Sequence, residues 1–98
     1  MPPINTKNNV TYYEKITSSA TAQDLIAENG NRVGLYIYNE SSQPLYCRID
    51  ATATTTDYSF IIPSNTLYEM PYEYFTDKVS GIWGTADGYA MVTEIADS

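Results

Sequence analysis

Apolar and polar positions alternate with a period of two along most of this chain, the spacing that sends successive side chains to opposite faces of a β-strand. Val10, Tyr12, Glu14 and Ile16 alternate with Thr11, Tyr13, Lys15 and Thr17 and predict a first strand. Val33, Leu35, Ile37 and Asn39, against Gly34, Tyr36 and Tyr38, predict the clearest one. Leu45, Cys47 and Ile49 repeat the pattern, as do Tyr58, Phe60 and Ile62 until Pro63 stops them. Residues 67–70, 79–83 and 89–95 give three more strands, and residues 22–27 a short strand or one helical turn.

Turn chemistry separates these runs. Asn29-Gly30 tolerates positive φ, Ser64-Asn65 turns the chain after Pro63, and Ala86-Asp87-Gly88 reads as a hairpin turn. Residues 40–44 and 51–56 read as loops. Seven or eight short strands about ten residues apart, with no amphipathic helix, predict an all-β fold: an antiparallel β-sandwich, jelly-roll or immunoglobulin-like. The expected core is Val33, Leu35, Ile37, Leu45, Cys47, Ile49, Phe60, Ile62, Val79, Trp83 and Val92. Tyr36, Tyr38 and Tyr46 fall on the opposite strand faces, solvated or covered by a partner. Residues 1–9 are polar and aperiodic and contain Pro2-Pro3, so they read as an extended arm ahead of a single domain over residues 10–98.

Composition narrows the function. The chain has ten tyrosines and no histidine. Tyrosine combines a large apolar body with a polar tip and little rotamer entropy, which suits both the rim of a β-core and a contact surface. Without histidine the chain lacks the side chain that titrates nearest neutral pH and ligates metals most often. Twelve acids against five bases leave a formal charge of −7, which disfavours nucleic acid and anionic membrane surfaces. No run approaches the ~18 apolar residues of a membrane span. The start Met-Pro-Pro-Ile-Asn lacks the basic and apolar regions of a secretory signal, so synthesis in a cytoplasm is expected.

Catalytic patterns are scarce. A Ser-His-Asp arrangement is impossible without histidine. Cys47 lies between Leu45 and Ile49 on the apolar side of its strand, where a thiol stays protonated and inert. Glu69, Glu73 and Asp77 cluster in sequence beside the aromatic run Tyr72, Tyr74 and Phe75, a combination that a glycoside-cleaving or sugar-binding site would show and that a solvated acidic rim would show equally. That aromatic run is either a contact loop or a plug at one end of the sandwich. Trp83 reads as core. No Cys or His spacing suits zinc and no acidic loop suits calcium. The expectation is therefore a non-enzymatic chain without metal or cofactor.

Several spaced motifs resemble a known group. They are Asn31-Arg32-Val33-Gly34-Leu35-Tyr36-Ile37-Tyr38-Asn39, Pro44-Leu45-Tyr46 and residues 51–58, followed by Tyr68-Glu69-Met70-Pro71, Ser80-Gly81-Ile82-Trp83-Gly84 and Val92-Thr93-Glu94. In this order, over residues 20–95, the set resembles small structural proteins of tailed-bacteriophage virions, and within them capsid decoration (cement) proteins. The resemblance implies a β-sandwich on the outer surface of the capsid that bridges neighbouring subunits of the major capsid protein lattice, often as a homo-oligomer with a trimer favoured. It implies no catalytic residues. The contact candidates are Pro2, Pro3 and Ile4 in the arm, Tyr12 and Tyr13, and Tyr72, Tyr74 and Phe75. A carbohydrate- or receptor-binding module of a phage fibre, and a tail or neck component, are the alternatives.

Overall fold

The period-two runs become eight strands: β1 (Asn9–Thr17), β2 (Gln23–Ile26), β3 (Arg32–Glu40), β4 (Leu45–Ile49), β5 (Phe60–Ile62), β6 (Thr66–Glu69), β7 (Val79–Trp83) and β8 (Tyr89–Asp97). The computed structural model describes residues 9–70 and 76–97, and no helix occurs among them. The first sheet has the order β1-β8-β3-β6 and the second β2-β7-β4-β5, with all neighbours antiparallel.

The pairs β1:β8, β2:β7, β3:β6 and β4:β5 make one long two-stranded ribbon whose tip is the loop between β4 and β5. The ribbon is rolled so that β8 meets β3 and β7 meets β4. This is the jelly-roll topology, not the immunoglobulin one. Every connection except β4–β5 therefore crosses from one sheet to the other. The turn at 86–88 is one of these crossings and not the hairpin that its Asp-Gly pair predicts. Gly88 is still required there: its φ is +68°, and a Cβ would stand 2.0 Å from the Glu40 carbonyl oxygen. The Asn29-Gly30 turn uses no positive φ, whereas Asn65 does, at 52°.

Between the sheets lie Leu35, Ile37, Leu45, Cys47, Ile62, Val79, Trp83 and Val92, as the alternation predicts, joined by Ile16, Leu25, Ile26, Met70 and Ala90. Ile49 and Phe60 are only half-buried, and Phe60 stacks on Tyr68 with ring centroids 4.1 Å apart to close the β5/β6 side. Gly81 lets β2 approach, since a Cβ there would lie 2.7 Å from Leu25 Cδ1. One core expectation fails. Val33 points outward because a β-bulge between Arg32 and Gly34 breaks the alternation and turns Arg32 inward instead.

Crossings take backbone groups out of the ladders, and each must be satisfied some other way. Two buried polar side chains, one at each end of β3, do this. Arg32 donates from Nε to Glu94 Oε2 (2.7 Å), from Nη1 to the Asp77 carbonyl (2.8 Å) and from Nη2 to the Ala27 carbonyl (2.7 Å). It thereby fastens the β2–β3 and β6–β7 crossings together. At the other end, Asn39 Nδ2 donates to the carbonyls of Gln43, Ile62 and Pro63 at 2.7, 2.9 and 3.2 Å. Its Oδ1 accepts from Ser41 Oγ and from Trp83 Nε1. Asn39 thus joins the β3–β4 and β5–β6 crossings and satisfies the core indole. No buried side-chain nitrogen or oxygen among the described residues lacks a partner.

Removing either hub strands several buried groups at once. Asn39→Ala should lower unfolding free energy by about 2–4 kcal/mol. Arg32→Met should cost about 3–5 kcal/mol by leaving the Glu94 carboxylate buried without its cation, held only by Asn29 Nδ2 at 3.2 Å, with part of the loss recovered in Arg32→Met/Glu94→Leu. Urea unfolding monitored at Trp83 measures each.

Candidate binding surface

The two outer faces of the sandwich differ. On the second sheet, Tyr46, Ile61 and Ile82 are cross-strand neighbours, and Tyr58 packs on Tyr46 with centroids 5.2 Å apart. The ribbon tip folds over part of this face. Ser80 Oγ donates to the Ala51 carbonyl and accepts from the Ala53 amide, Arg48 reaches the Thr52 carbonyl, and Ala53 is fully buried.

The outer face of the first sheet has no such cover among the described residues. Register places Tyr13, Thr93, Tyr36 and Glu69 in one row across four strands, and Lys15, Met91, Tyr38 and Leu67 in the next. Ile95 and Tyr89 extend it along β8. Tyr13 is 74% exposed and Leu67 53%, while Tyr36 and Tyr38 are half-buried against their neighbours. Lys15 Nζ lies 4.1 Å from the centroid of the Tyr89 ring, a cation–π contact that keeps the ammonium on this face. A shallow hollow of about 200 Å3 opens between Tyr13, Lys15, Met91 and Thr93. The centre of the face is aromatic and aliphatic, and its charges are few for a chain of net charge −7. Exposed apolar side chains gathered on one sheet face make it the candidate contact surface of the described residues.

β1 also runs clear of the second sheet. Among its residues 10–17 only Ile16 is buried, because the facing strand β2 has four residues to cover nine. The first-strand alternation is real, yet Val10 is exposed and Tyr12 and Glu14 overlook an open groove of about 340 Å3 instead of a core. Asp24, Glu28 and Glu94 also line that groove. Tyr12 donates its hydroxyl to the Glu14 carboxylate, which raises the phenol above its ordinary pKa.

Of the residues singled out by sequence, Tyr12 and Tyr13 are exposed on opposite faces of β1. Pro2, Pro3, Ile4, Glu73, Tyr72, Tyr74 and Phe75 lie outside the described residues. Glu69 is exposed on the outer face opposite Tyr36, whereas Asp77 lies in the β6–β7 crossing with its carbonyl held by Arg32. Sequence reasoning missed Leu67 and Met91 as surface residues. Their signal was present in the alternation, but which strands adjoin was not. Among the described residues no group of three or more acidic, cysteine or histidine side chains is placed to hold a metal ion. No family model, curated protein or solved structure matches the chain.

Cys47 is fully buried in the core, and burial pushes its thiol well above the ordinary range. It should resist thiol-specific reagents in the native chain and react stoichiometrically once urea unfolds it. Native reactivity would place the second sheet's core open to solvent.

Proposed function

We propose that this chain is a non-enzymatic structural protein that docks the outer face of its first sheet on a larger protein assembly, as a decoration protein does on the major capsid protein lattice of a phage head. The observation that carries the reading is the uncovered aromatic face built from Tyr13, Tyr36, Tyr38, Leu67 and Met91 on a sheet otherwise well packed. The motif resemblance to virion decoration proteins supports it. So does the topology, since jelly rolls recur in capsid and lectin domains, although fold alone assigns no function.

The mechanism is additive contact. Apolar area removed from water at a seam contributes about 25 cal/mol per Å2. A protein that binds only the assembled lattice stabilises that state by mass action. Pro2, Pro3 and Ile4, and Tyr72, Tyr74 and Phe75, remain further contact candidates.

One observation favours a second reading, a carbohydrate-binding module. The groove beneath β1 sets the Tyr12 ring among Glu14, Asp24 and Glu28, a pairing of aromatic surface and hydrogen-bond acceptors suited to a sugar. Co-sedimentation with empty heads of the parent virus separates the two. The full chain should bind heads saturably, and the triple change Tyr13→Glu/Leu67→Glu/Met91→Glu should weaken binding at least tenfold with the fold retained. Deletion of residues 1–8 should weaken it further. Absence of binding to heads, together with binding on a glycan array that Tyr12→Ala abolishes, would replace the proposal with the second reading.

A further inference from the structure

Four strands form the edges of this sandwich, and three are short: β2 and β6 have four residues and β5 has three. Short edges are one of the ways proteins block unwanted strand pairing. The fourth edge, β1, has nine residues, no proline and no bulge along its pairing with β8. Among the described residues no strand pairs with its outer side, and the one hydrogen bond to it is at its end, where Gln23 Nε2 donates to the Thr17 carbonyl at 2.8 Å.

The phase of its hydrogen bonds follows from one contact. The Ser18 amide donates to the Gly88 carbonyl at 3.0 Å, continuing the β1:β8 register by one step. Bonded and non-bonded pairs alternate along an antiparallel ladder. Even-numbered residues of β1 therefore bond to β8, and the N–H and C=O groups of Thr11, Tyr13, Lys15 and Thr17 face the open side.

We infer that this edge takes the β1 strand of a second copy of the chain, antiparallel about a two-fold axis at Tyr13, joining two first sheets into one eight-stranded sheet. The register is self-complementary over the full strand, with Gln23 Nε2 yielding the Thr17 carbonyl to the other copy's Asn9 amide. Asn9 meets the other copy's Thr17, and Val10 meets Ile16. Thr11 meets Lys15, Tyr12 meets Glu14, and Tyr13 meets Tyr13. Every residue with outward backbone groups meets another such residue. An apolar pair and an aromatic pair form, both favourable across strands. Tyr12 faces the other copy's Glu14, so its one hydroxyl proton, held by Glu14 of its own strand in the single chain, can serve either carboxylate, and no like charges stand opposite. The strand holds one acid and one base, so it is neutral in a chain of net charge −7. Self-pairing at this edge thus brings no net charge together, unlike contact through the acidic remainder of the molecule. A two-fold axis perpendicular to the sheet also keeps both outer aromatic faces on one side. The inference does not depend on which assembly that face binds, and it departs from the trimer that the resemblance implies.

Sedimentation velocity of the full chain from micromolar to millimolar concentration tests the pairing. The expected result is a shift from the 11.0 kDa monomer to twice that mass. Tyr13→Pro removes an outward N–H while leaving the β1:β8 bonds intact, and should raise the dimer dissociation constant at least a hundredfold. Amide hydrogen exchange gives a readout independent of the variant's folding. Thr11, Tyr13, Lys15 and Thr17 should gain protection as concentration rises, while Tyr12, Glu14 and Ile16 stay protected throughout. A chain that stays monomeric, forms a trimer, or dimerises without protecting the odd-numbered amides would overturn the inference.

Discussion

The jelly roll depends on how the chain satisfies its backbone where it crosses between sheets. A rolled ribbon of eight strands makes these crossings in adjacent pairs, and at each pair ladder hydrogen bonds are interrupted. Buried backbone groups left unpaired there would cost about 1–3 kcal/mol each. Arg32 and Asn39 remove that cost at opposite ends of β3, the central strand that pairs with both β8 and β6. Each hub binds carbonyls from two separate crossings. Apolar packing drives the two sheets together, and these hubs determine which crossings lie side by side. The Trp83 indole is drawn into the same logic: its ring fills the core because Asn39 accepts its one N–H.

The same topology decides what is left outside. A two-layer sandwich of short strands buries one face of each sheet, and the ribbon tip shields part of the second sheet's other face through Ser80 and Ala53. The first sheet gains no equivalent cover among the described residues. Its outer rows combine four strands and gather tyrosines with Leu67 and Met91 into one neutral surface. β1 extends that surface beyond the reach of β2 and offers both a face and an edge. A rigid scaffold that presents preformed aromatic contacts loses little entropy on docking, the condition that the proposed lattice binding requires for many weak contacts to sum usefully.

Much of this was legible in the sequence. Period-two runs located the strands, turn residues bounded them, and the inward Leu35, Ile37, Leu45, Cys47 and Val92 were correctly separated from the outward Tyr36, Tyr38 and Tyr46. The failures share a cause. Val33 was misplaced because a bulge, which side-chain hydropathy does not encode, exchanges it for Arg32. A charged residue next to a turn reads as solvated, and only tertiary partners make Arg32 a core group. The 86–88 turn carries hairpin chemistry, yet the next strand joins the other sheet. Tyr12 alternates like a core residue, but whether a strand is covered depends on the length of the strand facing it. The outer aromatic face of the first sheet was illegible as a unit because strands far apart in sequence compose it. Tyr13, Tyr36, Leu67 and Met91 become neighbours only when the ribbon is rolled.

The most direct test of the central claim is to map which tyrosines a bound assembly protects. Tyrosine-directed oxidative footprinting, read residue by residue on the free chain and on the chain saturating empty heads, compares the two outer faces within one molecule. Protection of Tyr13, Tyr36, Tyr38 and Tyr89, with Tyr46 and Tyr58 unchanged, is the result this account predicts. Protection of Tyr46 and Tyr58 with the first-sheet tyrosines still reactive would contradict it.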